Sequence, residues 1–356
     1  MSRPSKTLIR PSPAVAGLRG YHVPRPPHPI DLYLDGNEGL TAPVSIVGGL
    51  RGLMPGVVRR YPSTRSLESV IAERLGLGAD RVLVTAGGDD AICRACHAVL
   101  SEGREMVLPV PTFEMFTRYA RLAGGTVVTV PWPRGAYPAD AVLGAITRRT
   151  SIVVVVSPNN PTGAVAKAAD IRRLAKAAPH ALVVVDLAYA EFADEDLMPA
   201  ALSLPNAVAV RSFSKAWGMA GLRLGYAAGP AGIIDWMRAA GSPYAVAGPS
   251  VAVAGAWLAR GGAQVDAFVK RIRRERETLA GTLQSLGAAP LPSQANFVLA
   301  RFADAQGVWN GLARRGIAVR AFPNQEGLDD CLRITCPGNV KDFRRLESAI
   351  ETVLGD

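Results

Sequence analysis

Lys215 follows the apolar run 207–210 within Ser212-Phe213-Ser214-Lys215, and Arg223 lies eight residues on. A lysine amine becomes a Schiff-base nucleophile when desolvation or neighbouring cations lower its pKa. Ser212, Ser214 and Arg223 add two hydroxyls and a planar guanidinium, a donor set suited to a phosphate. Gly87-Gly88-Asp89-Asp90 opens a helical pattern, and the unpaired amides and dipole of a helix start also favour an anion. Asp186 ends the apolar run 181–185, where a carboxylate is costly unless a cation is paired with it. A pyridinium nitrogen is a suitable cation, and a pyridoxal cofactor relies on such a carboxylate to remain an electron sink.

These residues need elements that bring them together. Short β-branched runs at 82–85, 106–108, 126–130, 151–156, 181–185, 207–210 and 224–227 alternate with helical patterns. Continuous apolar runs of this kind predict a largely parallel α/β sheet covered on both faces. Ligands of such sheets bind outside the carboxyl ends of the strands. Five polar or turn segments follow the runs there: Ala86 to Asp90, Pro111-Thr112-Phe113, Ser157 to Gly163, Asp186 to Tyr189, and Ser212 to Lys215. Beyond 260 the pattern changes to a long charged helix over 267–286, strands at 296–300 and 331–335, and a terminal helix over 341–354, a smaller α+β domain. The expected division is an N-terminal arm belonging to the small domain (1–45), a large domain (46–260) and a small C-terminal domain (261–356), with the Pro-rich stretch 24–29 lying across the small domain as an irregular arm.

Composition excludes several alternatives. A chain of 356 residues with 49% hydrophobic content has room for about two domains and is not disordered. The net charge of +10 permits nucleic-acid binding, but only six of the 40 basic residues are lysines, and the densest cluster, 270–276, reads as the solvated side of an amphipathic helix. No nucleic-acid partner is expected. The uncharged stretch 239–259 is interrupted by Gly241-Ser242-Pro243 and Gly248-Pro249-Ser250, which argues against a membrane helix. Arg3, Lys6 and Arg10 precede no apolar segment of a secretory signal, so a cytoplasmic location is expected. Cys93-Arg94-Ala95-Cys96-His97 matches the haem-attachment pattern literally. Ile92, Cys96 and Val99 nevertheless fall at helix-face spacing, and buried cysteine behaves as a small hydrophobe. His22, His28, His97 and His180 lack ligand spacing, so no metal is expected.

Ser157-Pro158-Asn159-Asn160-Pro161-Thr162-Gly163, Asp186-Leu187-Ala188-Tyr189, and Ser212-Phe213-Ser214-Lys215 through Gly221-Leu222-Arg223-Leu224-Gly225 together resemble the class I/II, fold-type I pyridoxal-phosphate aminotransferases, with the histidinol-phosphate aminotransferase subfamily the nearest pattern. The resemblance runs from about Tyr21 to the C-terminus and implies pyridoxal 5′-phosphate as cofactor. It implies that Lys215 carries the cofactor and later moves the Cα proton, that Asp186 holds the pyridinium proton, and that Tyr189 and Asn160 bond the phenolic oxygen. Phe113 is implied to stack on the ring. Gly88, Asp89, Asp90, Ser212, Ser214 and Arg223 are implied to form the phosphate cup. Tyr61 is implied to reach the phosphate of a neighbouring subunit, which means a homodimer with shared sites. Arg333 matches the family's carboxylate-binding arginine, Arg320 a second arginine at the substrate's distal phosphate, and Tyr21 an N-terminal tyrosine facing the same end.

Two departures stand out. Asn37-Glu38-Gly39-Leu40 replaces the usual Asn-Glu-Asn-Pro type of segment, and Leu187 stands where Glu is usual. The first lies near the substrate entrance and bears on specificity. The expected reaction moves an amino group from L-histidinol phosphate to a keto acid such as 2-oxoglutarate by a ping-pong route. Aromatic amino acids, another biosynthetic amine, and decarboxylation of a phosphorylated amino acid are the alternatives.

Overall fold

The first strand, β1 (Leu32–Leu34), belongs to a sheet built mostly from the far end of the chain. The seven apolar runs become the next seven strands: β2 (Val82–Thr85), β3 (Glu105–Val110), β4 (Thr126–Pro131), β5 (Thr150–Val156), β6 (Leu182–Asp186), β7 (Ala207–Ser212) and β8 (Gly225–Ala228). They form one sheet in the order β2-β8-β7-β6-β5-β3-β4. The computed structural model describes residues 10–355 apart from 22, 25, 42–47, 49, 50, 53, 54 and 324. Arg3, Lys6 and His22, the 45/46 boundary and Arg25 of the Pro-rich arm therefore lie outside the described residues.

The pairs β3–β4, β3–β5, β5–β6 and β6–β7 are parallel, as the sequence predicts, whereas β8 runs antiparallel to both β7 and β2. The reason is the short return from Ser212 to Gly225, which pair directly and leave no crossover helix to carry the chain to the other end. That return is the loop bearing Lys215. Along the central strands, successive side chains enter opposite cores: Val153, Val155, Val183 and Val185 on one side, Ile152, Val154, Leu182 and Val184 on the other.

The helix Gly88–Val99 buries Ala91, Ile92, Ala95 and Cys96 against the sheet, so Cys96 serves as core. The stretch 239–259 is split between the helices Ala231–Ala239 and Gly248–Arg260, and no helix among the described residues is long and apolar enough to cross a membrane.

The second sheet has the order β1-β11-β12-β10-β9, with β9 (Ala289–Pro290), β10 (Phe297–Arg301), β11 (Ile317–Ala321) and β12 (Cys331–Thr335). Leu32 and Leu34 join its core by parallel pairing of β1 with β11, which ties the segment around β1 to the sheet formed by the far end of the chain. The sequence reading gives no strand at β1 or β11, the first being three residues long and the second hiding its pattern behind a buried Arg320. The charged helix spans Gly262–Ser285, and its basic cluster is only partly solvated, a correction to the sequence expectation. Lys270, Arg271 and Arg274 face outward, but Arg276 turns inward to donate to the Ala295 carbonyl (2.9 Å), and buried Glu275 accepts from the Gly338 amide (2.7 Å). Both are satisfied by backbone, which offsets their burial.

Candidate active site

The five segments after β2, β3, β5, β6 and β7 converge on one cavity of about 610 Å³, bounded on the side of the second sheet by Tyr33, Asp35 to Glu38, Arg320, Phe322, Gln325 and Arg333. A second cavity of equal volume lies under the helix Ala305–Arg314 and the C-terminal helix, and none of the convergent residues reaches it. The first cavity is lined by Tyr21, Gly88, Asp89, Phe113, Asn160, Asp186, Tyr189, Ser212, Ser214, Lys215, Arg223, Arg320 and Arg333, all of them singled out from sequence. Asp90 and Tyr61 are not among its lining residues. The Asp90 carboxylate points back to accept from the Ala86 amide (3.0 Å) and to pair with buried Arg94 (3.0 Å), so it shapes the turn before the helix. Tyr61 is 81% exposed and stacks on Tyr244 at 4.5 Å between ring centroids.

At one end of the cavity the helix Gly88–Val99 begins, with Ser212 and Ser214 buried beside it and Arg223 donating to Asp89 (3.2 Å). The turn leading into the helix is pressed onto β8. A Cβ on Gly225 would lie 2.6 Å from the Gly87 carbonyl carbon and 2.7 Å from the Gly88 amide nitrogen, so glycine is required for this approach. Further along, Asp186 is 5% exposed, and its Oδ1 accepts from the Ala188 amide (3.0 Å). Burial pushes its carboxyl up to about 7. Lys215 donates to the Gly36 carbonyl (3.2 Å), and its ammonium stands 5.6 Å from the centroid of the Tyr189 ring.

At the other end Arg320 and Arg333 face each other as paired residues of β11 and β12, both buried. Arg333 donates to the Asn160 side chain and to the Asp35 carbonyl (2.6 Å), while its Nε is buried without a partner. Its guanidinium lies over the Phe297 ring (5.3 Å), and Arg320 lies over Phe322 (5.8 Å). Burial, with Arg320 adding to it, lowers the Arg333 guanidinium to about 10. No salt bridge joins either arginine to an acidic side chain among the described residues. Two buried like charges side by side call for an anion.

Several contributors escape sequence reasoning. Asn159 is fully buried and donates to the Pro111 carbonyl (2.9 Å) and the Thr162 hydroxyl (2.8 Å), while Thr112 donates to its Oδ1 (2.6 Å). It staples two strand exits together and leaves its neighbour Asn160 for the cavity. Glu191 accepts from Arg211 (2.7 Å) and from the Trp217 indole (3.2 Å), bracing the lysine loop from behind. Asn37 donates to the Tyr189 phenol oxygen (2.9 Å). The only sequence signal for Asn37 is its place in the segment that departs from the expected pattern.

A seven-stranded sheet with a lysine, a glycine-walled helix start and a buried carboxylate gathered at its strand ends is the arrangement expected of a pyridoxal-phosphate-dependent transferase of fold type I. The model of the family "Aminotransferase class I and II" matches residues 33–350. The chain belongs to this family. A histidinol-phosphate aminotransferase of Jannaschia sp. (strain CCS1) is 36% identical over 307 residues, covering 83% of each chain. One of Paracoccus denitrificans (strain Pd 1222) is 36% identical over 301 residues, 82% of this chain and 81% of its own. Among solved structures, histidinol-phosphate aminotransferase from Sinorhizobium meliloti in complex with pyridoxal-5′-phosphate superposes with a TM-score of 0.86 at 25% identity, over 98% of this chain and 99% of that one. The protein is thus a pyridoxal-phosphate-dependent aminotransferase.

The residues present fit that cofactor. The glycine-walled helix start with Ser212, Ser214 and Arg223 suits a phosphate, and the buried Asp186 suits a protonated ring nitrogen.

Proposed function

We propose that the protein is a cytoplasmic, homodimeric enzyme that transfers the amino group of L-histidinol phosphate to 2-oxoglutarate in a ping-pong cycle, with domain divisions at 45/46 and 260/261. The observation that carries the choice of substrate is the buried pair Arg320 and Arg333, matched across β11 and β12 at the cavity wall. Two guanidinium forks lining one cavity from paired strand positions suit a dianion, and the phosphate monoester of the donor and the two carboxylates of the acceptor both supply negative charge there. One pair of arginines can then serve both halves of the cycle. The relatives named histidinol-phosphate aminotransferase support the same reading.

Bound pyridoxal phosphate supplies the electron sink that makes the substrate Cα proton removable. The remaining work falls to the chain. Lys215 Nζ holds the cofactor and then takes the proton from Cα and returns it, which requires the neutral amine once the substrate has displaced it. Burial holds the Asp186 carboxyl at about 7, so a cation against it favours the ionised form, and cofactor and carboxylate would hold each other's charge. Tyr189 and Asn160 are proposed to hold the phenolic oxygen, Phe113 to cover the ring, and Gly88, Asp89, Ser212, Ser214 and Arg223 to hold the phosphate. Asp90 supports that cup by tying the Ala86 amide. Tyr21 and the arginines face the substrate, and Tyr61 is proposed to serve the site of a second copy.

The test is the visible spectrum of the loaded protein, titrated with L-histidinol phosphate and, in parallel, with L-phenylalanine. Bleaching by the phosphate ester and recovery with 2-oxoglutarate are expected. Bleaching by phenylalanine alone would move the enzyme to aromatic substrates, bleaching by neither would remove this donor, and no band after adding pyridoxal phosphate would overturn the cofactor assignment.

A further inference from the structure

Residues 35–39 run between the two sheets as a strap over the lysine. Asn37, at its centre, is 1% exposed and has φ 51°, a left-handed conformation that costs most side chains dearly and asparagine less. The backbone here is held from the small domain. The Asn37 amide donates to Thr335 Oγ1 (3.3 Å), Asn296 donates to the carbonyls of Asn37 (3.3 Å) and Glu38 (3.2 Å), and Arg333 donates to that of Asp35 (2.6 Å). On the other side the strap lies directly on the lysine backbone, for a Cβ on Gly39 would sit 1.3 Å from the Lys215 carbonyl oxygen.

The Asn37 side chain is oriented within this frame. Thr335 Oγ1 donates to Asn37 Oδ1 (2.9 Å), which leaves Nδ2 to donate to the phenol oxygen of Tyr189 (2.9 Å). A phenol oxygen that accepts on one side keeps its own proton for another direction. The phenol has no further hydrogen bond among the described residues, and Tyr189 lines the cavity. The charged groups around it are Lys215 and Asp186 from the large domain, Arg333 from β12, and Asp35 and Glu38 from the strap, none of which occupies the place of Asn37 against the oxygen.

We infer that Asn37 is a positioning residue: held in a left-handed turn by the small domain, it aims the Tyr189 O–H into the cavity and so sets the pH at which the lysine-bound cofactor loses its proton. The inference rests on the proposed role of Tyr189 as donor to the cofactor's phenolic oxygen. Donation to that oxygen favours the more negative, deprotonated form, so a misdirected phenol raises the midpoint.

The experiment is a pH titration of the visible band of the loaded protein, in the unsubstituted chain and in Asn37→Gly, which keeps the left-handed backbone and removes the donor. The midpoint is expected to rise by about one pH unit, the size of one hydrogen bond to a charged group. In a Tyr189→Phe background the same substitution should add no further shift, because the group it acts through is gone. Thr335→Val, which leaves the strap's sequence intact and removes the hydroxyl that bonds both the Asn37 side-chain carbonyl and its backbone N–H, should move the midpoint in the same direction by less, and it serves if Asn37→Gly does not fold. An unchanged midpoint in Asn37→Gly, or an equal shift in both backgrounds, would overturn the inference. Absence of the band in the unsubstituted protein would instead overturn the cofactor reading beneath it.

Discussion

Asp186 carries a conflict that no neighbouring side chain resolves: a carboxylate at the end of a strand of valines, nearly out of reach of water, with a backbone amide bonded to Oδ1. Burial raises its carboxyl to about 7, well above the ordinary range of an aspartate. In the cofactor-free protein the folded chain therefore holds a proton that the unfolded chain has released. Its contribution to stability is complete below the unfolded value and is lost as pH rises toward and through 7. Asp186→Asn should remove this loss. Melting temperatures of the two cofactor-free proteins should diverge between about pH 4 and 8 in favour of the variant, and parallel curves would refute the argument. With cofactor present the same substitution should cost most of the turnover, since the ring nitrogen loses its counter-charge. Lys215→Ala should abolish the visible band and lower turnover by at least about a hundredfold, the lower range for losing a positioned base; near-normal turnover would sink the assignment of the lysine.

Among the elements, the lysine loop and the strap over it form the least forgiving contact. Gly39→Ala would place a methyl group inside the Lys215 carbonyl, so either the strap or the lysine loop must move. We expect weaker cofactor retention on dialysis and a loss of turnover, with the melting temperature falling less than for a large core truncation, because the strap is not part of either hydrophobic core. Full activity in the variant would mean that the strap is free to lift. This contact also marks where reading the sequence stops. The seven strands were legible because each is an unbroken apolar run, and Lys215, Asp186 and the glycines at 87–88 were legible because they follow such runs. Asn37, Asn159 and Glu191 act through partners far away in the chain, at Tyr189, Thr112 and Arg211, and no local spacing announces a tertiary partner. The segment 37–40 could be seen to depart from the family pattern, but the close approach to Lys215 that suits glycine at 39 exists only in the folded molecule. Arg320 was marked by resemblance alone, since a buried arginine in a short strand obscures the apolar pattern that would reveal the strand.

At the scale of the whole molecule, Tyr61 is the residue whose position bears most directly on the proposed dimer. It is singled out by its resemblance to a phosphate-binding tyrosine, yet it stands 81% exposed beside the half-exposed Tyr244 and away from the cavity of its own chain. Large stacked aromatics in the open are characteristic of interaction surfaces. If Tyr61 completes the site of a second copy, each site draws Lys215 from one protomer and Tyr61 from the other, and two different defects can complement. A Tyr61→Ala protomer paired with a Lys215→Ala protomer makes one wholly intact site, with Lys215 from the first and Tyr61 from the second, and one site carrying both defects. Random reassociation of equal amounts gives half mixed dimers. Mixing the two weakly active variants should therefore restore about a quarter of the unsubstituted activity per protomer, as expected for a symmetric dimer with shared sites. Activity that stays at the average of the two separate variants after exchange of subunits, shown by mixed tags recovered together, would mean that each chain builds its site alone and that the exposed tyrosine pair serves another purpose.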